Sequence, residues 1–144
     1  MEDFIQQKID SKTKPQGSLG KLETIAFQIC QIQKTLSPKL INPTLLIFAA
    51  DHGISQSGVS AYLPEVTPQM VLNFIKGGAA INVFSRQHNL NLKIVDSGVN
   101  FDFSPDLNLI NAKIAKGTRN FLLEQAMTEK QVKECFSLAS DIVE

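Results

Sequence analysis

The chain has 144 residues, 43% hydrophobic and 19% charged, an ordinary globular composition that excludes a disordered tract. Fourteen Lys and Arg balance fourteen Asp and Glu, so no net charge draws it to nucleic acid or to a membrane surface. No apolar run approaches the roughly 18 residues of a membrane span, and the amino terminus MEDFIQQKID lacks the basic-then-apolar layout of a secretory signal. The expectation is a soluble, cytoplasmic protein with no nucleic-acid or membrane partner. Cys30 and Cys135 fall at apolar positions of helical patterns and read as buried free thiols. Lys12 and Lys14, then Lys113, Lys116 and Arg119, are the local basic groupings and read as solvated loop charges.

In chain order, residues 2–10 predict a short helix. A turn cluster at 13–18 follows, and Ser18 is the candidate N-cap of a helix over about 19–36. The apolar stripe of that helix is Leu22, Ile25, Ile29 and Ile32, widened by Ala26. Pro38 and Pro43 bracket a linker into Leu45–Ala50, six apolar residues without interruption. Such a run reads as a strand buried on both faces, the kind found in parallel sheets with helices on each side. Thr67 is the expected cap and Pro68 the first residue of the next helix, which Gly77-Gly78 should break at Lys76. A second helical piece over 79–87 leads to a buried strand at 92–96. Strand, helix, helix, strand is a βαβ unit with an expected right-handed crossover. Residues 99–111 read as irregular, with a weaker strand at 111–115. Thr128-Glu129-Lys130-Gln131 is a capping box opening a helix whose core side is Val132, Cys135, Phe136, Ala139 and Ile142, with Glu129 and Lys133 paired on the exposed face.

Ligands of open α/β sheets sit beyond the carboxyl ends of the strands, and Asp51-His52-Gly53 stands at such an end. The glycines after it let backbone approach a ligand. Adjacent residues at a strand end point in opposite directions, so Asp51 and His52 serve one metal ion poorly. No His, Cys and carboxylate grouping has ligand spacing, and no metal site is expected. The Asp51 carboxylate has two compatible readings: accepting N–H bonds in its own turn, or orienting a substrate or a neighbouring loop. Gly77-Gly78-Ala79-Ala80 lacks the lysine and preceding strand of a phosphate loop and reads as close packing or a bend. The free N–H groups around Thr67–Gln69 offer a polar site at a helix start.

Three segments, KPQGSLGKLE at 14–23, FAADHGISQSGVSAYLPEVTPQMVLNFIKGGAAINV at 48–83 and VDSGV at 95–99, together resemble the amino-terminal half of the nicotinate-nucleotide:5,6-dimethylbenzimidazole phosphoribosyltransferases. The likeness runs from about residue 10 to the end, including the turn at 117–120. It implies a Rossmann-like α/β parallel sheet flanked by helices, incomplete relative to the full family fold. Residues 1–43 would be the amino-terminal helical segment of a small domain, and 44–144 the first half of the phosphoribosyltransferase domain. It implies a homodimer, small-molecule substrates (nicotinate mononucleotide and dimethylbenzimidazole) and no cofactor. The implied substrate-binding residues are Asp51, His52, Gly53, Ser60, Tyr62, Gln69, Met70 and Phe74. Gln69 would hydrogen-bond an imidazole nitrogen, sharing that position with Met70, while Tyr62, Met70 and Phe74 pack on the ring.

The departure from the pattern is length. Family members are more than twice as long, and their glutamate general base and glycine-rich phosphate loop lie beyond the residues present here. No catalytic residue is therefore assigned, and the expectation is a base-binding wall that does not catalyse alone. The alternative is a non-catalytic aromatic-base-binding module, or an assembly partner of a separate carboxyl-terminal chain. An unrelated Rossmann-like ligand binder is the third reading.

Overall fold

A computed structural model describes residues 1–144. It divides into two compact units, Met1–Ile41 and Asn42–Glu144. No helix is long and apolar enough to cross a membrane.

The first unit is two packed helices, α1 (Glu2–Asp10) and α2 (Lys21–Gln33). In α1, Glu2 and Asp3 occupy the first turn and Lys8 the last, charges that suit the helix dipole at each end. Ser18 does not cap α2. Gly20 takes the N-cap position, and Glu23 reaches back to accept the Leu19 N–H at 3.0 Å while pairing with Lys14 at 2.9 Å. The helix stops three residues early because Lys34 adopts a left-handed conformation, φ 50°. The expected core stripe is largely outward, with Leu22 64%, Ile25 50% and Ile32 71% exposed. Ile5 and Cys30 are the buried residues. They border a groove of about 360 Å³ walled by Ile9, Leu19, Leu22 and Ala26.

The second unit holds a three-stranded parallel sheet, β1 (Thr44–Ala50), β2 (Asn91–Gly98) and β3 (Ile110–Asn111), in the order β1-β2-β3. Between β1 and β2 run α3 (Val66–Lys76) and α4 (Ala80–Gln87), and α5 (Glu129–Val143) closes the chain. The expectation that β1 is buried on both faces is not met. Phe48 is 48% exposed: Ile47 and Ala49 pack on Val71 of α3, and Phe48 points to the opposite face of the sheet. β2 lies between two neighbours and carries the burial, with Ile94, Val95 and Asp96 all inside. Val71 of α3 packs with Ile94 and Val99, and Ile47, Ala49, Phe74 and Leu92 surround them.

Thr67 is not a cap. The helix has begun by then, since Val66 N–H donates to Leu63 C=O and Thr67 N–H to Pro64 C=O; Glu65 stands at the N-cap without a side-chain bond. Gly77 ends α3 as expected, at φ 81°. Asn82, buried, ties the break together: its Oδ1 accepts the Ala79 N–H and its Nδ2 donates to Phe74 C=O. The third strand is shorter and earlier than 111–115. In α5 the capping box is present, with Gln131 N–H donating to Thr128 Oγ1 and Thr128 N–H to Gln131 Oε1. Cys135, Leu138, Ala139 and Ile142 form its half-buried face. Val132 and Phe136 point out, at 39% and 73% exposure; Phe136 sits about 100° around the helix from Cys135. Glu129 and Lys133 make no ion pair.

Candidate functional site

The carboxyl end of β1 is a knot of backbone. Opposite Ala49 and Ala50 the pairing slips by one residue of β2, so that Ala50 faces Gly98. Asp51 follows, buried, and fastens three segments. Its N–H donates to Gly98 C=O at 3.0 Å, its C=O accepts the Thr118 N–H at 3.1 Å, and its Oδ2 accepts the Asn100 N–H at 2.7 Å. The carboxylate therefore orients a neighbouring loop and leaves its own turn unbonded. A buried carboxylate that accepts a main-chain N–H is a strong, directional tie.

His52 points the other way, exposed, as the strand alternation requires. It forms a parallel bridge with Thr118, whose Oγ1 lies 3.5 Å from His52 Nδ1. Gly53 does not face open space. A Cβ there would come 2.6 Å from Asn120 N and 2.7 Å from Thr118 O, so this glycine admits protein backbone where the sequence suggested a ligand. Its N–H donates to Thr118 C=O at 2.9 Å.

Beside this knot lies a cleft of about 530 Å³, within the roughly 300–1,000 Å³ of small-molecule sites. Asp51, His52, Ser60, Tyr62, Met70 and Phe74 all line it, with Ile54, Ser55, Val59, Leu63, Val66 and Thr67. Six of the eight residues singled out by sequence thus share one cavity. Gly53 is in the knot, and Gln69 faces a separate depression with Pro64, Glu65, Pro68, Leu72, Asn100 and Phe101. Helix geometry separates the pair left open above: Met70 and Phe74 are one turn apart on a single face, and Gln69 is about 100° away. Tyr62 is 73% exposed and Met70 43% exposed, which leaves apolar surface facing the opening. Ser60 Oγ accepts the Tyr62 N–H at 3.2 Å, and Ser55 Oγ donates to His52 C=O at 2.7 Å. Apolar walls with a few hydroxyls suit a flat heteroaromatic ring. No three His, Cys, Asp or Glu side chains gather closely enough to hold a metal ion.

The sequence reading missed a second buried carboxylate at the matching end of β2. Asp96 Oδ1 accepts the Gly98 and Val99 N–H groups at 3.1 and 2.9 Å, and Oδ2 pairs with Lys113 at 2.9 Å. Lys113 is no solvated charge: its side chain is 16% exposed, lies over the Phe103 ring and donates to Phe101 C=O. The signal was an aspartate two residues before a glycine at the carboxyl end of each strand, Asp51-His52-Gly53 and Asp96-Ser97-Gly98. Lys116 and Arg119 do pair at the surface, with Asp102 and Glu124. Lys116 is the main reason the Asp102 carboxyl is held below its ordinary range.

All 144 residues match the sequence profile of a family described as phosphoribosyltransferase. The chain belongs to that family. It is 57% identical over 131 residues to a nicotinate-nucleotide–dimethylbenzimidazole phosphoribosyltransferase of Cupriavidus taiwanensis, covering 91% of this chain and 38% of the relative. The enzyme of that name from Dechloromonas aromatica is 51% identical over 143 residues, 99% of this chain and 41% of its own. A crystal structure of the Thermus thermophilus phosphoribosyltransferase superimposes with a TM-score of 0.86 at 37% identity, over 92% of this chain and 40% of that one. The phosphoribosyltransferase fold is therefore shared, and the chain spans about two fifths of the length of these relatives.

Proposed function

We propose that this chain forms the aromatic-base wall of a nicotinate-nucleotide:dimethylbenzimidazole phosphoribosyltransferase. The observation that carries the reading is the convergence of Tyr62, Met70 and Phe74 with Asp51, His52 and Ser60 on one cleft. In the reaction, a benzimidazole nitrogen attacks the anomeric carbon of nicotinate mononucleotide as the bond to nicotinate breaks. The products are α-ribazole phosphate, nicotinate and the proton lost from the attacking base. Tyr62, Met70 and Phe74 hold the ring faces, and the Ser60 and Thr67 hydroxyls are the groups suited to an imidazole nitrogen. Gln69, turned to another depression, is left out of the pocket.

The proton acceptor is not assigned to Asp51, whose Oδ2 is engaged by Asn100. The engaged Asp51 favours the second reading, a base-binding module or assembly partner that works with carboxyl-terminal polypeptide like that of its longer relatives. On the family resemblance alone, the active form is a homodimer in the cytoplasm, residues 1–43 contribute to a small domain, and no cofactor takes part.

Dimethylbenzimidazole titration with calorimetric readout tests the pocket. Met70→Ala and Phe74→Ala should each weaken binding by about tenfold, while Gln69→Ala leaves it unchanged. Equal affinities for all four proteins would remove the assignment. Product analysis by mass, with both substrates and the chain alone or together with the remainder of a longer relative, tests the reaction. α-Ribazole phosphate should form only in the second mixture.

A further inference from the structure

We infer that Asn120 is a positioning residue for the cleft: through Ser57 it pins the strap that carries Ser60 and Tyr62 to the site, and so raises the affinity for a flat aromatic base. The inference deepens the reading above and rests on it for the identity of that base.

The strap is residues 58–62, GVSAY. All of it is exposed, Val59 at 66% and Tyr62 at 73%, yet Val59, Ser60 and Tyr62 line the cleft opposite Met70 and Phe74. Side chains this open give the strap little packing to hold it in place. Its one polar bond is internal, from Tyr62 N–H to Ser60 Oγ. Gly58 adds freedom, since it sits at φ 75° with no atom within 4 Å of where a Cβ would stand. A pivot of this kind turns easily unless the chain is held on both sides of it.

It is held on both sides, by different means. At the carboxyl end the chain passes directly into α3, where Leu63 and Pro64 C=O accept the Val66 and Thr67 N–H groups. At the amino end stands a 3-10 turn, Gly53–Ser57, and its last residue accepts a hydrogen bond from Asn120 Nδ2 at 2.9 Å. This is the one hydrogen bond from residues 54–62 to a distant part of the chain. Without it the nearest tie on that side is Gly53 N–H to Thr118 C=O, and the span free to move grows from 58–62 to 54–62.

Asn120 is itself a fixed post. Its Oδ1 accepts the Leu122 N–H at 3.0 Å, and its C=O accepts those of Leu123 and Glu124. With Oδ1 spent on its own turn, Nδ2 is the group left to donate to Ser57. A binding loop ordered in advance saves the entropy of fixing it when the ligand arrives. Loss of the tether should therefore show in affinity, with the fold intact.

Tyr62 is the only tyrosine, and the chain has no tryptophan, so intrinsic fluorescence reports on the strap alone. Asn120→Ala and Ser57→Ala should each keep the native circular dichroism and lower the Tyr62 anisotropy of the free chain. Each should weaken dimethylbenzimidazole binding, by calorimetry, by about fivefold, and the double variant should be no weaker than either. Asn120→Asp should restore both readouts, because a carboxylate keeps the Leu122 bond and accepts the Ser57 hydroxyl. Should Asn120→Ala fail to fold, Ser57→Ala decides, since Ser57 is exposed. Unchanged Tyr62 anisotropy, additive losses in the double variant, or full affinity in folded variants overturns the inference. Native affinity that survives both substitutions sinks the tether and leaves the base wall standing. Absence of binding by the unsubstituted chain sinks the base wall, and the affinity claim with it.

Discussion

Gly53 illustrates how one missing side chain shapes the site. Its main chain runs against residues 118–120 so closely that a Cβ would meet Asn120 N at 2.6 Å, Arg119 C at 2.7 Å and Thr118 O at 2.7 Å. All three are backbone atoms and cannot swing aside. Gly53→Ala should lower stability by about 1–3 kcal/mol, the usual cost of forcing atoms into packed space, read as a drop in the urea midpoint at unchanged slope. An unaltered midpoint would mean the segment at 118–120 yields freely. The residues of the site were partly legible in the sequence. The aspartate, histidine and glycine could be located at a strand end from the apolar run before them. The role of Gly53 could not, because the segment it touches lies more than sixty positions later and bears no local mark of that contact.

At the scale of elements, local chemistry decided what the sequence could announce. Thr128 and Gln131 sit at capping-box spacing and bond reciprocally as that spacing requires. Thr128→Ala should cost about 1 kcal/mol and fray the first turn of α5, seen as faster amide exchange over residues 129–132. Ser18 and Thr67 had the right residue type and were overridden by their surroundings. The turn before α2 is closed by Glu23, and the chain entering α3 is already helical after Pro64. Glu23 also sets a pH dependence. The Lys14 ammonium, first, and the Leu19 N–H, second, hold its carboxyl below the ordinary value of 4.5. Because the folded value is the lower one, the stabilisation is complete above 4.5 and fades as pH falls through the folded value. Acid titration followed by α-helical circular dichroism should show this loss in the native chain, and Glu23→Gln should flatten it.

For the whole molecule, class and order of elements were readable because both helices and strands announce themselves through periodicity. Which strand is central was not. An apolar run reports how a strand is meant to be covered, yet α3 packs only on the Ile47 and Ala49 side of β1, so Phe48 remains in solvent while Val95 of β2 is fully buried.

The knot at Asp51 also constrains how such a protein can change over generations. Gly117 and Thr118 meet Asp51 and Gly53 in fixed register, and Ala112 is anchored upstream by its N–H to Asp96 C=O. The path from 112 to 117 therefore has a set length: one inserted residue there would pull Thr118 off both of its partners and loosen the floor beside the cleft. Residues 104–108, mostly exposed and bonded chiefly to one another, have slack to grow. Descendants of this chain are free to elaborate that outer bend, and length variation within the inner one should be weeded out.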